Sequence, residues 1–344
     1  MQKVLIIRLS AIGDIIMASG LLPALQRAYP DVQIDWLAQP ECRNLLEETS
    51  EIKTVLSLSR QKWAQDIKRF RWARVALEMT SLVRTVKQRD YDLVLDIQGL
   101  WKSAVPAWLT RSKQRIGLDS REGSHKLMTE VVTCPKGDMR IASEYKTLLE
   151  YLGLGADNYR LGIQVSEEDI ETARRVRERH HINQEYIVFS PFTTRAQKHW
   201  IDSRWLQLAD RLENQSRLPV LILGGLSEQS KGATYEVKSD GVLSNLAGQT
   251  TLRQGLALIQ GASLVVGVDT GLTHMGVLSN VPTVALFGST CPYLVTDNPR
   301  ARVLYEPFSC SPCKRNPTCH GQFHCMQALT VDHVMEAVME VMAG

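Results

Sequence analysis

The chain has 344 residues, of which 44% are hydrophobic and 22% are charged, with a formal net charge of +3 at pH 7. This composition is typical of a globular protein long enough for two domains, and it excludes a disordered or low-complexity chain. The charge is too small to favour a nucleic-acid partner. The first apolar run is short and meets Arg8, and no run is long enough to cross a bilayer. We therefore expect a cytoplasmic protein without a secretory signal.

The first half alternates short apolar runs with helix-forming segments. In chain order, we predict a strand at 3–7, a turn and helix at 11–29, strands at 32–37 and 53–58, a helix at 69–87 and a strand at 91–97. Short apolar runs of this kind are typical of buried parallel strands, and their alternation with helices predicts a parallel sheet.

The second half restarts the same pattern after a charged helix at 166–180. Ser166 and Asp169 predict a capped start for that helix, which we place where the two domains join. Beyond it we predict strands at 186–190, 218–223, 263–268 and 281–287, with helices at 203–215, 252–260 and 331–342. The sequence thus predicts an α/β protein with two Rossmann-like domains, at 1–165 and 166–330.

Polar clusters follow the predicted strands of the first domain, and ligands of open parallel sheets bind beyond the carboxyl ends of the strands. Ser10, Gly13 and Asp14 follow the first strand. Gly13 permits close approach of a ligand, and Asp14 is either a helix cap or a general base. Neither a dinucleotide fingerprint nor a P-loop is present. Gln98 and Lys102, after strand 91–97, either contact a ligand or belong to a solvated loop.

Three further clusters follow strands of the second domain. The loop at 193–199 combines hydroxyls with basic side chains, which suits phosphate oxygens, although an ordinary solvated loop is the alternative. Asp269 opens a helix whose first N–H groups suit a pyrophosphate, unless it only caps that helix. A histidine such as His274 is more often packed than catalytic. Glu228, after a glycine pair, is placed to accept from ribose hydroxyls. Trp200 is predicted to pack and anchor its loop.

The chain resembles glycosyltransferase family 9, the lipopolysaccharide heptosyltransferases. The resemblance lies in four segments in this order: KVLIIRLSAIGDII, LDIQGLWKSA, TTRAQKHW, and VVGVDTGLTH with VPTVALFG. The resemblance implies a GT-B fold, in which two Rossmann-like domains face each other across a cleft and the helix at 331–344 packs back toward the first domain. It also implies an inverting transfer of L-glycero-D-manno-heptose from ADP-heptose to a Kdo or Kdo-phosphate residue of lipid A, without a catalytic metal or other cofactor. The alternatives are a later heptosyltransferase that extends an existing heptose, a transferase using another nucleotide sugar, and a non-catalytic nucleotide-sugar-binding protein.

The resemblance assigns roles to the clusters. Asp14 becomes the base that deprotonates the acceptor, Lys198 stabilises the departing diphosphate, and Asp269 contacts the donor near the sugar. The implied donor-binding residues are Thr193, Thr194, Glu228, Asp269, Thr270, Gly271, Leu272, Thr273 and His274. The implied acceptor-binding residues are Ser10, Gly13, Arg60, Lys62, Gln98, Lys102 and Arg121.

A basic stretch with interleaved aromatic residues runs through positions 60–72. Such a stretch suits both an anionic acceptor and a membrane surface, and a solvated helix face is the alternative. No nucleic-acid motif accompanies it, so we expect no nucleic-acid partner. The resemblance implies a peripheral location at the inner face of the inner membrane, and we expect a monomer.

Four cysteines near the C-terminus, Cys310, Cys313, Cys319 and Cys325, have the spacing C-x2-C-x5-C-x5-C. In a reducing compartment they predict a structural zinc or iron site rather than disulfides, because four thiolates form a tetrahedral ligand set. A similar segment occurs in only some family members, which favours a structural role. Free thiols are the alternative, and His320 or His324 are substitute ligands.

Overall fold

The computed structural model describes residues 1–157, 159–313 and 316–343, without the side chains of residues 60 and 61. The chain divides into two compact units, the first formed by Met1–Asp138 and Ala142–Gln164, the second by Met139–Ile141 and Val165–Gly344. The main division lies one residue from the predicted boundary. The short excursion at Met139–Ile141, where Arg140 bridges to Val295, was not predicted. No helix within the described ranges is both long and apolar enough to cross a membrane.

The first unit is built on one parallel sheet of six strands in the order β3-β2-β1-β4-β5-β6. Its elements are β1 (Lys3–Ile7), α1 (Ile12–Ala18), α2 (Leu21–Ala28), β2 (Gln33–Ala38), α3 (Arg43–Leu46), β3 (Ile52–Ser57), α4 (Arg60–Lys68), α5 (Trp72–Gln88), β4 (Leu93–Asp96), α6 (Trp101–Leu109), β5 (Gln114–Leu118), β6 (Glu130–Val132) and α7 (Ser143–Tyr151). The strand order reverses between β1 and β4, which is where such sheets bind ligands.

The second unit repeats this topology with the strand order β12-β11-β10-β7-β8-β9. Its elements are α8 (Glu167–Arg179), β7 (Ile187–Ser190), α9 (Asp202–Ser216), β8 (Val220–Ile222), α10 (Gln229–Lys238), β9 (Leu243–Asn245), α11 (Leu252–Gln260), β10 (Leu264–Val268), α12 (Gly271–Leu278), β11 (Thr283–Phe287), β12 (Ala301–Tyr305), α13 (His324–Ala328) and α14 (Val331–Ala343). The predicted class, two Rossmann-like domains, is confirmed.

The C-terminal helix α14 belongs to the second unit, and its predicted packing toward the first domain stays a prediction. Val334, Val338 and Val341 are buried in the same core as the strands of the second sheet. The apolar face of α14 therefore completes the core of its own unit. Trp200 lies in this core and donates from Nε1 to the Leu329 carbonyl at 2.7 Å, which confirms its predicted anchoring role.

Two predicted helices show how side-chain hydrogen bonds determine where a helix begins or ends. Helix α8 begins as predicted, because Ser166 Oγ accepts from Asp169 N at 3.1 Å and the Asp169 carboxylate accepts from Ser166 N at 3.1 Å. The segment 11–29, predicted as one helix, is split between α1 and α2. Ser19 Oγ donates to Ile16 O at 2.7 Å and accepts from Gly162 N at 3.1 Å, which diverts the chain at the junction.

Candidate active site

Asp14 lies in the first turn of α1, beyond the carboxyl end of β1. Its Oδ2 accepts from Ala11 N at 3.0 Å and pairs with Arg8 Nη2 at 2.7 Å. Arg8 itself is only 8% exposed, and its Nη1 donates to Ile97 O at 2.5 Å. Asp14 therefore does cap α1, yet its side chain keeps 38% of its surface exposed. A helix cap and a solvent-facing carboxylate coincide in one residue.

The loop after β4 lies against the loop after β1. Gln98 Oε1 accepts from Leu9 N at 3.0 Å and from Ser10 N at 3.2 Å, so this predicted acceptor contact uses its carbonyl oxygen to join the two loops. Gly99 adopts a φ of +65°, and a Cβ there would lie 2.5 Å from Leu118 O. Only glycine fits this turn, which brings the loops after β4 and β5 together.

Two carboxyl groups within electrostatic reach of Arg8 have raised pKa values. Burial raises the pKa of Asp96 to about 6, against hydrogen bonds from Gln98 and Gly99 N–H groups that lower it. Desolvation is also the largest cause of the raised pKa of Glu144, and the charge of Asp14 adds to it while Arg8 opposes it. The edge of the first sheet is therefore acidic, with Arg8 as a buried counter-charge.

The remaining predicted acceptor residues fall in two places. Gly13 lies in α1 and the half-buried Lys102 in α6, while the exposed Arg121 donates its backbone N–H to Gly99 O at 2.8 Å. These lie on the elements that follow β1, β4 and β5. Lys62 lies instead on α4 and pairs with Glu78 of α5 at 2.6 Å. The side chain of Arg60, also on α4, is outside the described residues.

Helices α4 and α5 form a surface hairpin whose apolar side chains face solvent. Trp63 of α4 packs against the core of the first unit, and its Nε1 donates to Glu78 Oε2 of α5 at 2.8 Å. Five large apolar residues between positions 67 and 79 are exposed: Ile67, Phe70, Trp72, Leu77 and Met79, with Phe70 at 83% and Leu77 at 72%. Exposed basic residues surround them: Lys68, Arg69, Arg71 and Arg74. An apolar patch of this kind with a basic rim marks an interaction surface.

In the second unit, Asp269 follows β10 and receives three side-chain partners. Lys198 Nζ lies 2.5 Å from Oδ2, Thr290 Oγ1 donates to the same oxygen at 2.5 Å, and His274 Nε2 lies 3.2 Å from Oδ1. The side chains of Asp269 and Lys198 are 11% and 16% exposed. Burial alone would raise the pKa of Asp269, but the hydrogen bond from His274 and the charge of Lys198 hold it well below its usual value.

His274 is 4% exposed, so its ring contacts Asp269 and is not accessible to a ligand in this structure. Its Nδ1 lies 2.9 Å from Tyr293 OH, and its ring packs against Phe287 and Tyr293. If Nε2–H donates to Asp269, Nδ1 of the neutral ring must accept from Tyr293. Thr290 and Tyr293 were not predicted from the sequence, although both lie beyond the carboxyl end of β11, where ligands of parallel sheets bind.

The loop after β7 places its predicted residues with different degrees of exposure. Thr194 is exposed and Thr193 is half-buried, and the His199 ring is hydrogen-bonded to the Thr193 backbone. His199 was also missed, and desolvation lowers its pKa. Glu228 turns its carboxylate onto its own loop, because Oε2 accepts from Gly225 N at 2.8 Å and Oε1 from Ser227 Oγ at 2.6 Å. A ribose would have to share that carboxylate.

Helix α12 begins after Thr270, so the N–H groups of Gly271, Leu272 and Thr273 lack partners within the helix. This agrees with the predicted anion-binding end. The side chain of Thr273 is different: it is fully buried, and its Oγ1 donates to Val268 O at 2.6 Å. The hydroxyl of Thr273 therefore holds the end of β10, and only its backbone N–H remains for the predicted contact with the donor.

The four C-terminal cysteines share one segment between β12 and α13. Desolvation raises the pKa of Cys313 and Cys325, and the charges of neighbouring cysteines raise both further, so the thiols lie within electrostatic reach of one another. Within the described ranges, however, no three His, Cys, Asp or Glu side chains are gathered closely enough to hold a metal ion. The four cysteine thiols are therefore not gathered into a tetrahedral ligand set in the described part of the chain.

Comparison with known proteins identifies the family. A family model for glycosyltransferase family 9 (heptosyltransferase) matches residues 79–324. Lipopolysaccharide heptosyltransferase 1 of Pseudomonas aeruginosa is 28% identical over 338 residues, which cover 93% of this chain and 88% of the relative. The structure of a family 9 glycosyltransferase from Veillonella parvula is similar with a TM-score of 0.85 at 19% identity, covering 99% of this chain and 97% of that one. That of the E. coli heptosyltransferase WaaC with ADP-2-deoxy-2-fluoro heptose has a TM-score of 0.71 at 22% identity, covering 98% and 99%. Both structures show a shared fold. Because the family model matches well over half of the chain, the protein belongs to glycosyltransferase family 9, the heptosyltransferases.

Proposed function

We propose that the protein transfers L-glycero-D-manno-heptose from ADP-heptose to a Kdo residue of lipid A during synthesis of the lipopolysaccharide inner core. The observation that carries this is the nearly buried Lys198–Asp269 pair beside the first N–H groups of α12. The name of the 28% identical relative supports transfer of heptose to lipopolysaccharide, and the ADP-2-deoxy-2-fluoro heptose in the E. coli structure supports the donor.

The second unit offers the charges that a nucleoside diphosphate requires. Lys198 supplies a cation, and the N–H groups of Gly271 and Leu272 supply donors at the positive end of a helix dipole. As the bond between the anomeric carbon and the diphosphate breaks, its electron pair stays on the diphosphate. Fixed donors aimed at that growing charge are typically the largest single contribution to such catalysis.

The first unit offers the base. Asp14 removes the proton from the acceptor hydroxyl, and the oxygen attacks the anomeric carbon from the face opposite the diphosphate, which inverts the configuration. General-base assistance of this kind contributes about 10²–10⁴-fold. Arg121, exposed at the same sheet edge, is placed to attract an anionic acceptor.

The test is a transfer assay with purified protein, comparing ADP-heptose with UDP-glucose as donors, and Kdo-lipid A with an acceptor that already carries a heptose. We expect transfer from ADP-heptose to Kdo-lipid A, and loss of at least about 10²-fold in D14N. The matched control is D31N, which changes an exposed carboxylate of the same unit. Preference for UDP-glucose refutes the donor, preference for the heptosylated acceptor refutes the acceptor, and full activity of D14N refutes the base.

We also propose that the α4–α5 hairpin holds the protein on an anionic membrane surface, where a lipid-anchored acceptor resides. The support is the combination of exposed Phe70, Trp72 and Leu77 with a basic rim, since apolar side chains enter the interface and cations meet anionic headgroups. We expect binding to vesicles containing phosphatidylglycerol, weaker at high salt, and lost in the double variant F70E/W72E.

The control for the hairpin experiment is V237E, which places a carboxylate at an equally exposed apolar residue of α10. Equal binding of wild type and F70E/W72E to the vesicles would refute the membrane proposal. A concentration-dependent dimer that F70E/W72E abolishes would assign the patch to a second copy of the chain instead.

A structural zinc or iron ion at Cys310, Cys313, Cys319 and Cys325 is a separate proposal. Its support is the set of four cysteine sulfurs on one segment, which lie within electrostatic reach of one another. We expect about one metal ion per chain after purification under reducing conditions, lost in C313S and retained in C291S, which alters an exposed cysteine outside the segment. Absence of zinc and iron from the wild type would refute it.

A further inference from the structure

Arg8 is a buried cation that joins the base to the sheet. It follows β1 directly, is 8% exposed, and reaches Ile97 O at the end of β4 with one terminal nitrogen and Asp14 Oδ2 with the other. Its Nε has no hydrogen-bond partner among the described residues. Burying a guanidinium with an unsatisfied N–H is costly, so the two contacts it does make need a reason beyond packing.

The two donors that hold Asp14 converge on the same oxygen. Arg8 Nη2 and Ala11 N both lie within 3.0 Å of Oδ2, at 2.7 Å and 3.0 Å. Neither of them uses Oδ1, and more than a third of the Asp14 side chain is exposed. We propose that Arg8 is a positioning residue that fixes Asp14 through Oδ2, so that Oδ1 is the atom that takes the proton of the acceptor hydroxyl.

This inference rests on the proposed role of Asp14 as the base. In the step concerned, the O–H bond of the acceptor breaks, its proton forms a bond to Oδ1, and the freed electron pair forms the new bond to the anomeric carbon. The basic lone pairs of Oδ1 remain available because the anchoring hydrogen bonds involve Oδ2. Arg8 contributes orientation and an adjacent permanent charge, and it exchanges no proton itself.

The charged surroundings explain why a cation is needed here. Asp96 of β4, Glu144 and Tyr145 of α7, and Asp119 after β5 all act electrostatically on Arg8, Asp14 or Glu144, and Arg121 opposes them. Arg8 therefore supplies a permanent positive charge directly beside the Asp14 carboxylate in otherwise acidic surroundings. A lysine would keep the charge, but it lacks the planar fork that reaches Ile97 and Asp14 together.

The experiment compares R8M, R8K and R89M in the heptose-transfer assay, with kcat and KM measured from pH 5 to pH 9. Arg89 is the matched control, because its Nη1 pairs with Asp35 Oδ2 at the same 2.7 Å in the same sheet, away from Asp14. For R8M we expect a loss of about 10²-fold in kcat and an acid limb displaced to higher pH by roughly one unit. For R8K we expect the acid limb of the wild type with a reduced kcat.

R89M should unfold at a lower temperature while keeping the pH profile of the wild type. The inference is overturned if R8M and R8K both retain the wild-type profile with kcat within about threefold, or if R89M displaces the acid limb as R8M does. Full activity of D14N would refute the proposed base itself, which is a different outcome from failure of the Arg8 variants. If R8M does not fold, R8K still tests the inference. A kcat of R8K equal to that of the wild type would show that the planar guanidinium of Arg8 is not required to position Asp14.

Discussion

The Lys198–Asp269 pair allows stability and catalysis to be separated by one set of variants. Replacing Lys198 by methionine leaves the Asp269 carboxylate 11% exposed and without its cation. Breaking a buried ion pair by removing one partner costs about 3–5 kcal/mol. Because Thr290 and His274 still donate to the carboxylate, we expect the lower end of that range, about 3 kcal/mol.

The second variant, D269N, removes the negative charge in the same place. In the double variant K198M/D269N no unpaired charge remains, so we expect much of the stability lost in K198M to return. Activity should behave differently. If Lys198 stabilises the departing diphosphate, both K198M and the double variant should lose about 10²–10³-fold in kcat.

The measurements are thermal unfolding of the four proteins and steady-state transfer kinetics. A loss of about 3 kcal/mol corresponds to roughly 6–12 °C in a domain of this size. The reasoning fails if K198M unfolds at the wild-type temperature, because the pair would then be worth little. It also fails if D269N restores the activity of K198M, since Lys198 would then serve only to neutralise Asp269.

Two further predictions concern groups at the carboxyl edges of the two sheets. T290V removes a hydrogen bond to a charged oxygen of Asp269, which should lower kcat by about tenfold or more, whereas T290S should keep a kcat near that of the wild type. Equal transfer kinetics of T290V and wild type would contradict a role of Thr290 in positioning the Asp269 carboxylate. For Asp96, the folded pKa of about 6 exceeds the ordinary 3.8, so the folded state holds its proton more tightly than the unfolded state. Stability should therefore fall by about 2 kcal/mol as pH rises from about 4 to about 7. In D96N, urea unfolding across that range should show a correspondingly smaller fall.

Hydrophobic periodicity in the sequence predicts most of the strands and helices. The prediction fails where an element is short, or where contacts between residues distant in sequence determine its ends. Strands such as 3–7 and 263–268 are continuous apolar runs bounded by polar loops, so they are visible in sequence. Strand β9 has only three residues and β6 contains an exposed glutamate and valine, so neither differs from a loop in sequence alone. The split between α1 and α2 depends on Gly162, more than 140 residues away, and no local pattern carries that information.

Site residues were predictable where a loop follows a recognisable strand, and less so where their partners lie on other loops. Lys198 and Asp269 were both singled out, but their pairing is a property of the folded sheet edge. Thr290 lies on the next such loop and was missed because a lone threonine has no distinctive signal. Gln98 and Glu228 were singled out for polarity, yet their oxygens accept from neighbouring backbone N–H groups, which sequence cannot reveal.

Each unit holds a carboxylate beside a cation at the carboxyl edge of its sheet, and their surroundings favour different chemistry. Asp269 receives donors on both oxygens, is 11% exposed, and has a pKa held well below its usual value, so it is a poor proton acceptor. Asp14 is 38% exposed and is held through Oδ2 alone by Arg8 and Ala11. Of the two, Asp14 is therefore the carboxylate that suits the proposed proton transfer, while Asp269 holds Lys198, the residue proposed to contact the diphosphate. The family resemblance also predicted Asp14 as the base, and exposure and hydrogen bonding support that role; for Asp269 it predicted a contact with the donor near the sugar, whereas the hydrogen bonds support holding Lys198.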